Sequence, residues 1–129
     1  MVGAEVQRAI FAALTAADVA GDRIYDQPPE DAVFPYVTIG DEQVLDDGTS
    51  CGDAWEVYAD VHGWSRPATG SKIEVKDLRA AIVAAVTGIS TVSGFSLISV
   101  SVDTSRTRRD PDGLTEHDIT TFKFLLNGL

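Results

Sequence analysis

The chain reads as an α+β domain: a mainly antiparallel sheet of four to five strands with two helices packed on one face. Three observations lead there. Positions 54–65 alternate apolar Trp55, Val57, Ala59 and Val61 with Glu56, Tyr58, Asp60, His62 and Trp64, the period of a half-buried strand. Two segments, residues 5–17 and 73–86, repeat apolar residues at three and four positions, as helices with a single buried stripe do. Turn-rich segments such as Asp110-Pro111-Asp112-Gly113 separate the extended runs, so successive strands are joined as hairpins.

Taken in order, Val6, Ile10, Ala13, Leu14 and Ala17 form the stripe of the first helix, which Gly21-Asp22 ends. A short extended piece, Arg23-Ile24-Tyr25, leads into residues 26–31, where Pro28 and Pro29 forbid helix and favour a stiff, exposed arm. Residues 34–40 are β-rich, with Val37 and Ile39 on one face and Tyr36 and Thr38 on the other. The acidic stretch 46–53, including Asp46 and Asp47, has turn composition and is expected to be a mobile tip, too long for a tight hairpin. Residues 54–65 then supply the central strand.

Ser71-Lys72-Ile73-Glu74 is the pattern of a capping box, in which a hydroxyl and a carboxylate satisfy each other's free backbone donors. Ile73, Leu78, Ile82, Ala85 and Val86 make the expected stripe of the second helix, with Gly88 as its C-terminal cap. Residues 95–106 form a strand in which Ile98, Val100 and Val102 alternate with Ser99, Ser101 and Asp103, and residues 114–126 return with Phe122, Phe124 and Leu126 on one face. No internal repeat divides the 129 residues, which make one domain, 1–129.

Cys51 is the only cysteine, so no internal disulfide forms, and no run approaches the roughly 20 apolar residues of a membrane span. The N-terminal segment is periodic and carries Glu5 rather than a basic region followed by an apolar run, so no signal peptide is expected and the chain is read as cytoplasmic in origin. A net charge of -10 argues against a surface that grips nucleic acid through its phosphates. It leaves room for DNA passing nearby, which a negative wall would let slide without specific binding.

Candidate chemistry is sparse, and no cofactor or metal is assigned. Gly48-Thr49-Ser50-Cys51-Gly52 matches the nucleophile elbow G-x-S-x-G, but lies among acidic loop residues ahead of a strand, the wrong setting for that motif. Glu56, Asp60 and His62 share a strand face and His117 lies between Glu116 and Asp118, which leaves a divalent-metal site, and with it a small metal-dependent hydrolase, as a competing reading. Gly70-Ser71-Lys72 at a helix start lacks the rest of a phosphate-binding loop. The sharpest anomaly is Arg106, Arg108 and Arg109, three of ten basic residues within four positions of an acidic chain. They are either a solvated strand end countered by Asp110 and Asp112 or an interface patch for an acidic surface on a neighbouring copy.

Assembled in order, these segments resemble the tail-completion or tail-terminator family of long-tailed phages, prophages and gene transfer agents, the domain-of-unknown-function 3168 group. The resemblance rests on Gly21-Asp22-Arg23-Ile24-Tyr25-Asp26 followed by Pro28-Pro29, on Phe34-Pro35-Tyr36-Val37-Thr38-Ile39-Gly40, on Val61-His62-Gly63-Trp64-Ser65-Arg66, and on Arg109-Asp110-Pro111-Asp112-Gly113-Leu114-Thr115-Glu116-His117. Gly63 departs from it, since a larger apolar residue is expected before Trp-Ser-Arg, and is read as a bulge.

The resemblance implies a structural virion protein, not an enzyme. It implies a hexameric ring of this chain on the head-proximal end of the tail tube, which ends tube polymerisation and presents a surface to the head connector. Its partners would be further copies of itself, the major tail tube protein and the connector or stopper protein. The expected interface residues are Arg106, Arg108 and Arg109 as subunit or tube contacts, Trp64 and Tyr36 as buried anchors, Asp46 and Asp47 in a docking loop, and Pro28 and Pro29 in the arm. A head-side neck protein is the nearest alternative.

Overall fold

A computed structural model describes residues 1–129. Its elements are α1 (Val2–Ala16), β1 (Ile24–Tyr25), β2 (Tyr36–Asp46), β3 (Ala54–Ser65), α2 (Ile73–Thr87), β4 (Phe95–Arg109) and β5 (Glu116–Gly128). The five strands form one sheet in the order β1-β2-β3-β5-β4. Only the β1–β2 pair is parallel; β2–β3, β3–β5 and β4–β5 are antiparallel. The expected architecture is therefore present, with the predicted central strand in the middle of the sheet.

Its odd positions face both helices. Val57, Ala59 and Val61 are buried and stand in register with Phe124, Phe122 and Thr120 of β5. Val6, Ile10 and Leu14 of α1 and Leu78, Ile82 and Val86 of α2 close over them, with Val37 and Leu126 completing the layer. Phe122 and Phe124 are the largest fully buried side chains.

Several local expectations are corrected. The capping box does not form: Ser71 Oγ accepts from the Ile73 N–H at 3.1 Å, but Glu74 turns away to accept from Ser65 Oγ at 2.5 Å. The stripe of α2 begins at Val75, which is fully buried, while Ile73 is 62% exposed. In α1 the stripe is Val2, Val6, Ile10 and Leu14, and Ala17 lies beyond the helix in solvent. A bulge between Leu97 and Ser99 turns Ile98 outward and brings Leu97 and Val100 to the core side, so the simple alternation expected for β4 breaks there. The second bulge of β4 lies between Val102 and Thr104.

The tip at residues 47–53 is tighter than expected. β2 runs to Asp46, Asp47 N donates to the Ala54 carbonyl at 2.8 Å, and Thr49 and Gly52 exchange two backbone bonds across Ser50-Cys51. The hairpin thus pairs almost to its end. Gly63 is no bulge, since β3 and β5 pair without interruption through it. It faces α2, where a Cβ would lie 3.0 Å from Leu78 Cδ2; the glycine lets the helix seat closely on the sheet. The bulge on this side of the sheet lies instead in β2, between Ile39 and Glu42, where a Cβ on Gly40 would run into the His62 ring.

Candidate docking face

Both helices lie on one face, so the other face of the sheet is open. Its side chains follow from strand phase: Tyr36 and Thr38 of β2, Tyr58, Asp60, His62 and Trp64 of β3, His117, Ile119, Thr121 and Lys123 of β5, and Arg106 and Arg108 of β4. One cross-strand row reads Tyr36, Trp64, His117, Arg108; the next reads Thr38, His62, Ile119, Arg106.

At this end the open face builds a small polar-aromatic core of its own. The Trp64 and His117 rings stack with centroids 3.7 Å apart, and Tyr36 stacks on the other flank of Trp64 at 6.1 Å. Trp64 Nε1 donates to Thr38 Oγ1 at 3.0 Å, so its polar edge is satisfied inside the chain. His62 Nδ1 and His117 Nε2 share a hydrogen bond of 2.7 Å. Phe34 packs against Tyr36, and the Arg66 guanidinium sits 4.5 Å over the Phe34 ring.

Only one proton fits between two imidazole nitrogens, so this pair resists a second charge. Burial, the adjoining His62 and the nearby Arg108 and Arg106 hold His117 at about 4, and burial also lowers His62, against the opposing pull of Asp60, Asp41 and Asp118. Burial raises the Tyr36 hydroxyl. The adjoining turn is stapled by Asp112, which accepts the Leu114 and Thr115 N–H groups and the Thr115 hydroxyl and is held at about 2 by those bonds.

Further along, the open face turns acidic. Asp41, Tyr58, Asp60, Asp103 and Thr121 line a shallow recess, with Asp60 accepting from Thr121 Oγ1 at 2.6 Å. Glu56 accepts from Tyr58 and lies 3.4 Å from Lys123 Nζ. Glu56 and Asp60 are therefore occupied apart from the histidines, and no three His, Cys, Asp or Glu side chains come together in a metal-holding group. Ser50 and Cys51 lie at the exposed hairpin tip, without a base.

The three arginines divide. Arg106 and Arg108 project from the open face, exposed and in no ion pair. Arg109 points to the helix side, where its Nε donates to Glu116 at 2.6 Å and its guanidinium reaches the Gly70 carbonyl at 3.0 Å. Trp64 and Tyr36 are half-buried within their own stack, Asp46 and Asp47 are exposed beside the tip, Pro29 is exposed and Pro28 half-buried in the arm.

Residue patterns missed one feature altogether. Glu116 and Asp118 are buried on the helix side, 1% and 0% exposed, where the core sheet face meets α2. Lys72 and Arg109 attend Glu116; Arg79, Thr107 and Thr120 attend Asp118, whose carboxyl burial nevertheless raises. The signal was present: Glu116, Asp118 and Thr120 continue the phase of Phe122 and Phe124, and so had to point inward.

The chain is a one-sided α+β sheet whose bare face combines stacked aromatic rings, unpaired arginines and an acidic strip. Residues 8–127 match the sequence profile of the family described as tail completion protein gp17. The chain belongs to that family and has its structural role in completing the virion tail. It is 24% identical over 107 residues to tail completion protein gp17 of Bacillus phage SPP1, covering 82% of this chain and 78% of that one. The fold is similar to a chain in the virion of a native gene transfer agent particle, with a TM-score of 0.88, 21% identity and coverage of 99% and 98% of the two chains. It is also similar to the structure of bacteriophage SPP1 gp17, with a TM-score of 0.62, 23% identity and coverage of 92% and 86%.

Proposed function

We propose that copies of this chain close into a hexameric ring on the head-proximal end of the tail tube, stop tube growth there and join the tail to the head connector. No catalytic step is part of this reading, and DNA passes through the lumen without specific binding. The observation that carries it is the match to the tail-completion family across residues 8–127.

The geometry supports it in two respects. A ring needs one patch to meet a different patch on the next copy, and this sheet ends in two unlike edges: β4 with Arg106 and Arg108, and β1–β2 with an acidic arm and exposed Asp41 and Glu42. The β2–β3 hairpin, exposed from Asp41 to Asp53, gives the tube or connector a projecting acidic finger that includes Asp46 and Asp47. Trp64 and Tyr36 serve this reading by stiffening the corner behind the arginines.

The test is the mass of the purified chain alone and mixed with its tail tube protein, by light scattering with electron microscopy of the mixture. A particle of about six copies, or a cap at one tube end with growth halted, is the expected result. A monomer that leaves the tube growing overturns it and moves the chain to the head side of the neck.

A further inference from the structure

Two unpaired charge sets flank the same end of the sheet, at its opposite edges. Arg106 and Arg108 occupy the β4 ends of the rows that finish, at the other side, in Thr38 and Tyr36. Thr38 pairs with Tyr25 of β1, and the chain leaves Tyr25 directly into the arm at residues 26–31. Asp26 is tied to Gln7 of α1 at 2.6 Å on the helix side, whereas Phe34 packs on Tyr36 on the open face. The arm between them therefore wraps around the β1 edge. Glu30 and Asp31 on it are exposed and, like the two arginines, belong to no ion pair.

These charges cannot meet within one molecule, because five strands about 4.8 Å apart hold the two edges roughly 19 Å from each other. Two copies placed side by side in the same orientation bring them together, since displacement along the rows keeps the same end of each sheet aligned. We infer that Arg106 and Arg108 of one copy bind Glu30 and Asp31 on the arm of the next. The inference rests on the ring reading above and names the surfaces that would meet in it. Pro28 and Pro29 limit the freedom of the arm, so less order is lost when it is bound. Because the two patches lie at opposite edges, such a contact propagates head to tail and does not close on itself as a dimer.

Charge reversal in the full chain tests it, with circular dichroism confirming that each variant folds. R106E/R108E and E30R/D31R, each alone, are expected to raise the concentration needed for assembly by about tenfold or more, and both reversals in one chain to restore it. An equal mixture of the two reversed chains is also expected to assemble, with the two alternating around the ring. If each reversed chain assembles as the wild type does, the pairing is overturned while the ring stands. Rescue of R106E/R108E by D41R but not by E30R/D31R likewise overturns the choice of the arm. A wild-type chain that never assembles, alone or on the tube, removes the ring reading itself and this pairing with it.

Discussion

β3 and β5 carry two different solutions on their two faces. On the helix side Val57, Phe124, Ala59 and Phe122 interlock with α1 and α2, and any apolar set of similar volume and phase would serve. On the open side Tyr36, Trp64, His62 and His117 are held by stacking and by hydrogen bonds with defined partners. The first arrangement supplies stability through area removed from water. The second orders one corner of a surface that no helix covers, next to the exposed Arg106 and Arg108.

The largest effect is expected on the helix side. Phe122→Ala removes a fully buried ring from the centre of the ladder and is expected to cost about 3–5 kcal/mol, read from the midpoint of denaturant unfolding. Losing less than 1 kcal/mol would show that the helix-side layer is not what holds the domain together. Next comes Gly63→Leu, which forces a side chain into the space taken by Leu78 and Ile82; about 1–3 kcal/mol is expected, partly recovered when Leu78→Ala is added. Without that recovery, the glycine would not be there for helix seating.

The polar side responds to pH. A histidine held below its ordinary value binds fewer protons in the fold than in the unfolded chain, so its contribution is complete above about pH 6.5 and is lost as pH falls toward 4. His62 acts in the same direction, whereas Asp118, raised by burial, acts in the opposite one. The expected result is therefore a difference: His117→Gln flattens the acid limb of the stability curve relative to wild type. Superimposable acid limbs would mean that the histidine pair carries no such linkage. The smallest effect is expected from Lys123→Ala, which removes a partly exposed partner of Glu56 and should change stability by less than about 1 kcal/mol. A larger loss would make the open face a contributor to folding on the scale of the core.

Periodicity made the frame legible. The phase of residues 54–65 identified the central strand, and Phe122, Phe124 and Leu126 identified the face that β5 buries. What escaped depends on contacts between distant segments. Glu74 has the spacing of a capping carboxylate, but the Ser65 hydroxyl, nine positions earlier, claims it. Ile98 alternates correctly in sequence and still faces solvent, because an extra residue in β4 shifts the phase against β5. For the docking face, the arginine cluster was visible as composition, yet its division, with Arg109 drawn inward by Glu116, required the register. The histidine pair is separated by 55 positions and is joined only when β5 lies beside β3.

That placement of β5 has a temporal consequence. β3 and β4 are synthesised first, but they are not neighbours; the strand that joins them is the one translated after both. Until residues 116–128 clear the ribosome, the nascent chain lacks Phe122 and Phe124, leaves β4 without a partner and has no His117 under Trp64. The arginines on β4 then hang from an unpaired segment. A partly made polypeptide therefore lacks this corner, which forms only once the last strand lies between β3 and β4.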